Sequence, residues 1–352
     1  MKTSIVIPCR NESEVIGEVV RQVKASLNGY TAEVIVVAHL CTDDTAEVAL
    51  KAGARVTKCT DPHLADAMLC GFKYSKGDNV IWMDGDGQHP PETLPQVIEA
   101  LERSELVVAS RNVPGGSYKG FTTYRRIVSG VANLLALPLT PHIKDRTAGF
   151  FGIRRSVLDI TTKLNLVGYK FPLEVFVKGN YKTSEEVPFT FRERMGGTSK
   201  LSKRVMTAYI KQLIPLYLHK FRWLRFGLVG LVGAAISYPL LYVLTEYAGL
   251  YYIVSAICAI VVGSTSNYFL NNRWTFTEKR RHGLKGHIRG WLNYQVLSAM
   301  GDGAYLGLLA FFTEVVGIWY MASALLCLGI TFVFKWLFAN KVIWRGKNVQ
   351  AS

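Results

Sequence analysis

What is scarce in this sequence narrows it first. Cysteine occurs six times in 352 residues, with no C-x-x-C, and Cys258 and Cys327 fall inside apolar stretches. That usage argues against structural zinc and against a disulfide framework. Acids are outnumbered, 26 Asp and Glu against 41 Lys and Arg, leaving a formal charge of +15. Such an excess fits nucleic acid or an anionic membrane surface. No nucleic-acid-binding motif accompanies it, and the basic residues crowd around apolar segments, from Lys203 to Arg225 and again from Arg273 to Arg289. The expected partner is therefore a lipid bilayer and not nucleic acid. Long apolar runs are missing from the first two hundred residues, and the opening MKTSIVIPCRNE is too short in apolar residues for a signal peptide. This half is expected to stay in the cytosol.

After about residue 223 the composition reverses. Phe226–Tyr247, Tyr252–Leu270, Leu292–Val316 and Met321–Asn340 are each long enough to cross about 30 Å of hydrocarbon as a helix. The turns EYAGLYY and TEVVGIWY carry no Lys or Arg, whereas the opposite flanks carry nearly all of them. The positive-inside rule then gives four crossings of the cell membrane with both termini cytosolic. Between the halves, SKRVMTAYIKQLIPLYLHKFRW spaces Val205, Tyr209, Leu213 and Leu216 near a helical repeat with basic residues between them. It reads as an amphipathic interfacial segment, with Pro215 expected to divide it in two. The domain expectation is thus 1–200, 201–222 and 223–345. Asp302, near the middle of the third span, needs an interhelical partner or a wet cavity, while Lys335 is placed to snorkel.

The first half alternates short apolar strands with amphipathic helices: a strand ending near Cys9, then strands at Glu33–Val37, Arg55–Lys58, Asn79–Met83 and Leu106–Ser110. Helices are expected after Asn11, which can cap the first with Glu14 three residues on, after Thr42, around Leu64–Ser75 and near Thr93–Arg103. Strands without strict alternation imply burial on both faces, hence an α/β, Rossmann-like fold with a mostly parallel sheet. In such sheets ligands bind beyond the carboxyl ends of the strands. IWMDGDGQHPPE puts Asp84 and Asp86 at that edge, with Gly85 expected to turn the chain so that both carboxylates converge. Two hard oxygen ligands suit Mg²⁺ or Mn²⁺. A bare D-x-D is equally a pair of solvated loop acids; its place at a strand end favours the metal. His39 and His89 read as loop histidines.

Several ordered motifs carry a resemblance. PCRNE (Pro8–Glu12), the D-x-D with QHPPE (Asp84–Glu92), ASR (Ala109–Arg111), DRTAGFFGIRR (Asp145–Arg155) and RMGGTSKL (Arg194–Leu201) are similar to family 2 glycosyltransferases of the GT-A fold, most of all to the dolichol-phosphate mannose synthase group. NYFLNNRWTF (Asn267–Phe276) resembles the GtrA-like four-helix transmembrane domain. The resemblance implies a GT-A catalytic domain followed by an all-α membrane domain. It implies transfer of a hexose, foremost mannose from GDP-mannose, to a polyprenyl (dolichyl) phosphate, with Mg²⁺ or Mn²⁺ as cofactor.

By matching position, Asp84, Asp86 and Gln88 are the metal set, and Asp86, Gln88, Arg111 and Arg125 the catalytic one. Pro8, Arg10, Asn11, Glu12, Asp84, Asp86, Gln88 and Glu174 fall to the nucleotide sugar. Arg111, Arg125, Ser129, Arg194 and Lys200 fall to the acceptor phosphate, at positions that match those around acceptor or donor phosphates. A loop around Gly196 and Gly197 is expected to cover the site. The family's usual D-D-x-S-x-D-x-T is replaced by AHLCTDDT, Ala38–Thr45, and Ala148 stands where Ser often precedes GFF. The base or ribose contact must be remade by His39, Asp43 or backbone, which leaves UDP-glucose and UDP-N-acetylglucosamine as alternative donors. A phosphate monoester is largely dianionic at neutral pH and needs no general base, so direct displacement inverts the anomeric carbon. Two other classes stay in view. One is a lipid-linked-sugar flippase, in which Asp302 and Asn271 line a path and copies associate through the membrane helices. The other is a binding module with a dead site.

Overall fold

The computed structural model describes residues 2–158, 164, 171–195 and 203–345. The chain folds as two compact units, Met1–Tyr217 and Leu218–Ser352.

In the first unit the order is β1 (Thr3–Cys9), α1 (Ser13–Ser26), β2 (Ala32–His39), α2 (Thr45–Lys51), β3 (Arg55–Cys59), α3 (Leu64–Tyr74), β4 (Asn79–Trp82), α4 (Leu94–Arg103), β5 (Leu106–Ser110), α5 (Thr123–Ala136), β6 (Phe151–Arg154), α6 (Phe171–Lys178) and β7 (Ser184–Pro188). The strands lie in the order β3-β2-β1-β4-β6-β5-β7. All neighbours are parallel except β6, which runs antiparallel between β4 and β5.

Alternate strand residues point to opposite faces, and both faces are buried. Ile5, Ile7, Val36, Ile81 and Val107 pack beneath α1 and α4. Val6, Ile35, Val37, Trp82 and Val108 pack with residues of α3 and α6 on the other side. That double burial explains the unbroken apolar strands. In α4, Leu94, Val97, Ile98 and Leu101 fall on one buried stripe at i, i+3, i+4 and i+7.

Several local expectations are corrected. Asn11 does not cap α1: it sits in the left-handed region at φ 55° and bonds to the next loop. Pro215 does not divide the linking segment, for α7 (Lys203–Lys220) runs through it as one helix. A single missing N–H costs one hydrogen bond but is compatible with continued helical backbone.

α5 and α7 form a layer of a different kind. Tyr209 and Tyr217 on α7 donate to the carbonyls of Ala132 and Leu135 on α5, each at 2.7 Å. Outward on α5 stand Ile127, Val131 and Leu134, between 52% and 65% exposed; on α7 Met206, Ile210 and Ile214 are between 39% and 57% exposed. Two stripes at helical spacing make an apolar surface that is left open among the described residues.

The second unit contains α8 (Arg222–Glu246), α9 (Tyr252–Leu270), α10 (Leu284–Ala310) and α11 (Tyr320–Phe338). All four are long and apolar enough to cross a membrane. Their polar-edge core is aromatic: Phe276 stacks on Trp344 at 4.3 Å, and Asn272 accepts from the Trp344 indole at 3.0 Å and from the Arg281 N–H at 2.9 Å. Asn271 is fully buried and donates to the Tyr294 hydroxyl at 3.3 Å. Lys335 does not merely snorkel. Its ammonium meets Asp302 at 2.7 Å, giving the intramembrane acid the interhelical partner it requires.

Candidate active site

β1, β2 and β4 are adjacent and parallel, so the loops leaving their carboxyl ends gather at one edge. Pro8 and Cys9 close β1 opposite Val37 and Ala38 of β2. The two following loops are stitched together. Asn11 Oδ1 accepts from the Thr42 N–H at 2.8 Å, and Thr45 Oγ1 accepts from the Glu12 N–H at 2.8 Å. Asp43 accepts from the Ser13 N–H at 3.1 Å and from the Thr45 hydroxyl at 2.5 Å. Burial pushes the Asp43 carboxyl up, but the bonds from Thr45 and Ser13 outweigh it and hold it at about 2. His39 is buried, with Nε2 donating to the Asp61 carbonyl at 2.7 Å. Both residues offered as base contacts are thus engaged with the protein's own loops, whereas Arg10 is exposed.

The two carboxylates follow β4. Gly85 is packed so tightly on Cys9 that a Cβ would strike the thiol, and the turn expected there is made instead by Gly87, at φ 78°. Asp84 is half exposed and Asp86 is 6% exposed. His89, missed as a site residue, is buried among Phe150, Phe189 and Phe191. Its Nδ1 accepts the Asp84 N–H at 2.9 Å, so the ring proton sits on Nε2, which faces Asp84 Oδ2 at 3.8 Å. Burial brings His89 down to about 4, so at neutral pH the ring is an uncharged prop for the first carboxylate.

Asp86 accepts from the Gln88 N–H at 3.0 Å and pairs with Arg194 Nη2 at 2.7 Å; Arg194 Nη1 is 3.9 Å from Glu12. The segment carrying Arg194 is zipped to the acid loop. Arg192 N–H donates to the Gln88 carbonyl at 3.0 Å, Gln88 Nε2 to the Arg192 carbonyl at 3.2 Å, and Met195 N–H to the Asp86 carbonyl at 3.2 Å. Lys200, Gly196 and Gly197 lie outside the described residues.

The donor chemistry here fits a hard divalent cation. Burial, and then the neighbouring Asp84, lift Asp86 above its ordinary value. A bound cation would relieve that repulsion. Gln88, whose Nε2 is already committed, presents Oε1 as its remaining ligand atom. No group of three His, Cys, Asp or Glu converges among the described residues, so such an ion would lean on Asp84, Asp86, an amide and the substrate's own oxygens.

Three arginines approach these acids. Arg111 is buried against Asp145, donating from Nε and Nη2 at 2.8 Å each, with Nη2 also 3.1 Å from Thr147. Ser129 on α5 lies 3.3 Å from the same Thr147 hydroxyl. Arg125, one turn before Ser129, lays its guanidinium over Phe121 at 4.2 Å and Phe191 at 5.5 Å. Burial and the nearby Arg194 charge lower Arg125 from its ordinary value. Cations pressed together in this way favour an anion among them. Glu174, fully buried on α6, pairs with Lys178 at 2.6 Å. Asp145 and Thr147 carried no individual role in the sequence reading, although they stand in the DRTAGFF motif.

A profile of the family described as Glycosyl transferase family 2 matches residues 4–161, and one of the GtrA/DPMS transmembrane domain matches residues 225–344. A dolichol-phosphate mannosyltransferase of Pyrococcus furiosus is 30% identical over 98% of this chain and 99% of its own. The chain belongs to glycosyl transferase family 2. In this glycosyltransferase the α/β unit is followed by a GtrA/DPMS membrane domain, which makes it a membrane protein. The dolichol-phosphate mannosyltransferase of Saccharomyces cerevisiae is 37% identical over 47% of this chain and 65% of its own. Among solved structures, glucosyl-3-phosphoglycerate synthase from Mycobacterium tuberculosis, crystallised with Mn²⁺, UDP and glucosyl-3-phosphoglycerate, is 21% identical with a TM-score of 0.49, covering 62% of this chain and 79% of that one.

Proposed function

We propose that the glycosyltransferase moves mannose from GDP-mannose to a polyprenyl phosphate at the cytosolic face of the membrane, with inversion at the anomeric carbon. The observation that carries this reading is the make-up of α5. One side of the helix brings Arg125 and Ser129 to the Arg111–Thr147 cluster; another presents Ile127, Val131 and Leu134 exposed. A phosphate gripped beside an apolar surface is what an acceptor with an anionic head and a hydrocarbon tail requires. The relatives' names, dolichol-phosphate and undecaprenyl-phosphate mannosyltransferase, support the same acceptor class and the same sugar.

Asp84, Asp86 and Gln88 would hold Mg²⁺ or Mn²⁺, which when bound neutralises charge on a nucleoside diphosphate leaving group. Arg125, with Arg111 held in line by Asp145, positions the acceptor phosphate. Already a dianion, that phosphate attacks without a general base, and preorganised cations stabilise the transition state. Pro8, Arg10, Asn11 and Glu12 border the nucleotide's place at the strand ends. With Asp43 committed to Ser13 and Thr45, and His39 buried and bonded through Nε2 to Asp61, the base falls to backbone groups of the stitched loops. Asp302 and Asn271 both have partners within the helical unit, which supports an anchoring role for it; the Lys/Arg-free turns EYAGLYY and TEVVGIWY favour both chain ends being cytosolic.

The test is a donor screen using the full chain in lipid, Mn²⁺ and a short polyprenyl phosphate. GDP-mannose should give a β-linked lipid product. Transfer from UDP-glucose alone would replace the donor assignment, and a retained configuration would remove direct displacement.

A further inference from the structure

The guanidinium of Arg194 stands where a cation would be expected, on the oxygen of a metal-ligand acid. It lies 2.7 Å from Asp86 Oδ2, 3.9 Å from Glu12, and its side chain is only 20% exposed. Its segment is fastened to the acid loop by backbone bonds from Arg192 and Met195, and Gly87 is roofed by the Met195 side chain. Asp86 is buried two residues from Asp84, so one positive charge at this point offsets a repulsion that the acid loop would otherwise carry. Two cations drawn to one carboxylate oxygen repel each other, so a guanidinium seated on Asp86 Oδ2 competes there with a divalent ion. We propose that Arg194 is an exchangeable counter-ion: it neutralises Asp86 before the cation arrives, and is released by that cation to meet the diphosphate.

The inference rests on the reading of Asp84 and Asp86 as metal ligands and adds a role for this arginine in the metal-free protein. Exchange makes the two charges alternatives at Asp86 rather than neighbours. An arginine freed beside Arg125 finds its next acceptor in phosphate oxygens, which it can grip in two places. Metal binding alone would then be weakened by Arg194, while nucleotide binding in the presence of metal would be strengthened by it. A residue that only braced the loop would change both affinities in the same direction.

The experiment measures Mn²⁺ affinity of the full chain in lipid nanodiscs by electron paramagnetic resonance of the free ion, without nucleotide. Wild type, Arg194→Gln, Arg194→Lys and Asp86→Asn are compared. Arg194→Gln should bind Mn²⁺ about tenfold more tightly than wild type, the worth of one lost charge-assisted contact. Arg194→Lys, which keeps the charge without the fork, should fall between them. GDP binding measured by calorimetry at saturating Mn²⁺ should weaken about tenfold in Arg194→Gln. Unchanged or weaker Mn²⁺ binding in both Arg194 variants overturns the exchange. If wild type binds no Mn²⁺ and neither variant does, the metal reading itself fails; if wild type binds and Asp86→Asn does not, that reading stands whatever Arg194 does.

Discussion

Each unit of the chain contains an acid–base pair, buried in the first and part-exposed on the helices of the second, and the two are built differently. In the α/β unit, Arg111 and Asp145 share two side-chain hydrogen bonds at 2.8 Å, the Arg111 N–H adds a third at 2.9 Å, and the guanidinium lies 4.9 Å from the Tyr118 ring. Asp145 is itself held by Glu186 through its N–H at 3.0 Å. In the helical unit, Lys335 and Asp302 share a single contact at 2.7 Å. The first pair fixes a guanidinium in direction as well as place. The second cancels two charges that the hydrocarbon would otherwise penalise. An ion pair is thus no measure of function until its geometry is known: multiple bonds orient, and one bond neutralises.

Changes at four places would break or sharpen that contrast. The largest effect is expected where acids serve a ligand rather than a fixed partner in the fold. Asp84→Asn with Asp86→Asn should lower sugar transfer by roughly a thousandfold while circular dichroism stays native; full activity would remove both acids from the reaction. Next, Asp145→Ala leaves Arg111 buried without its carboxylate. It should destabilise the α/β unit by about 3–5 kcal/mol, read as the loss of unfolding free energy in denaturant. The double change Arg111→Met with Asp145→Leu should regain stability but not transfer, which separates orientation from neutralisation. In the helical unit Lys335→Met should cost about 1 kcal/mol, and adding Asp302→Leu should recover it with transfer unaffected. Loss of transfer in that double variant would give the membrane pair a working role.

The smallest effect concerns Asp43, whose carboxyl is held at about 2 against an ordinary 3.8. A depressed carboxyl contributes stability that is full above its unfolded value and disappears as pH falls through its folded one. Thermal melting of Asp43→Asn should therefore fall below wild type at pH 6, and the gap should close between about pH 4 and pH 2. A gap that persists at pH 2 would assign the effect to shape rather than charge.

The sheet was largely legible because its strands are short apolar runs ending at polar loops. Leu106–Ser110 was placed to the residue, and β2 and β4 to within a residue or two at each end. β6 and β7 were not anticipated. FFGIRR and SEEVP have too little pattern to announce an antiparallel strand inserted between β4 and β5, a placement that depends on long-range pairing. At the site, Asp84 and Asp86 were found from their place at a strand end, but the duties of the two glycines were exchanged: Gly85 is demanded by contact with Cys9, Gly87 by its backbone angle. His89 was passed over because no sequence pattern reveals that a ring accepts from a backbone N–H five residues back. The stripe Ile127, Val131, Leu134 was present at helical spacing in YRRIVSGVANLLAL. The arginines and serine interleaved with it drew attention to phosphate and away from the apolar side.

Under the proposed function, that stripe changes what concentration means for this glycosyltransferase. With Arg125 and Ser129 on the helix that carries exposed Ile127 and Leu134, an acceptor would be met by lateral diffusion in a leaflet and not by collision from solution. Turnover would then follow molecules of acceptor per unit area. Spreading a fixed amount of polyprenyl phosphate through added neutral lipid would slow the reaction although nothing in the tube had been removed.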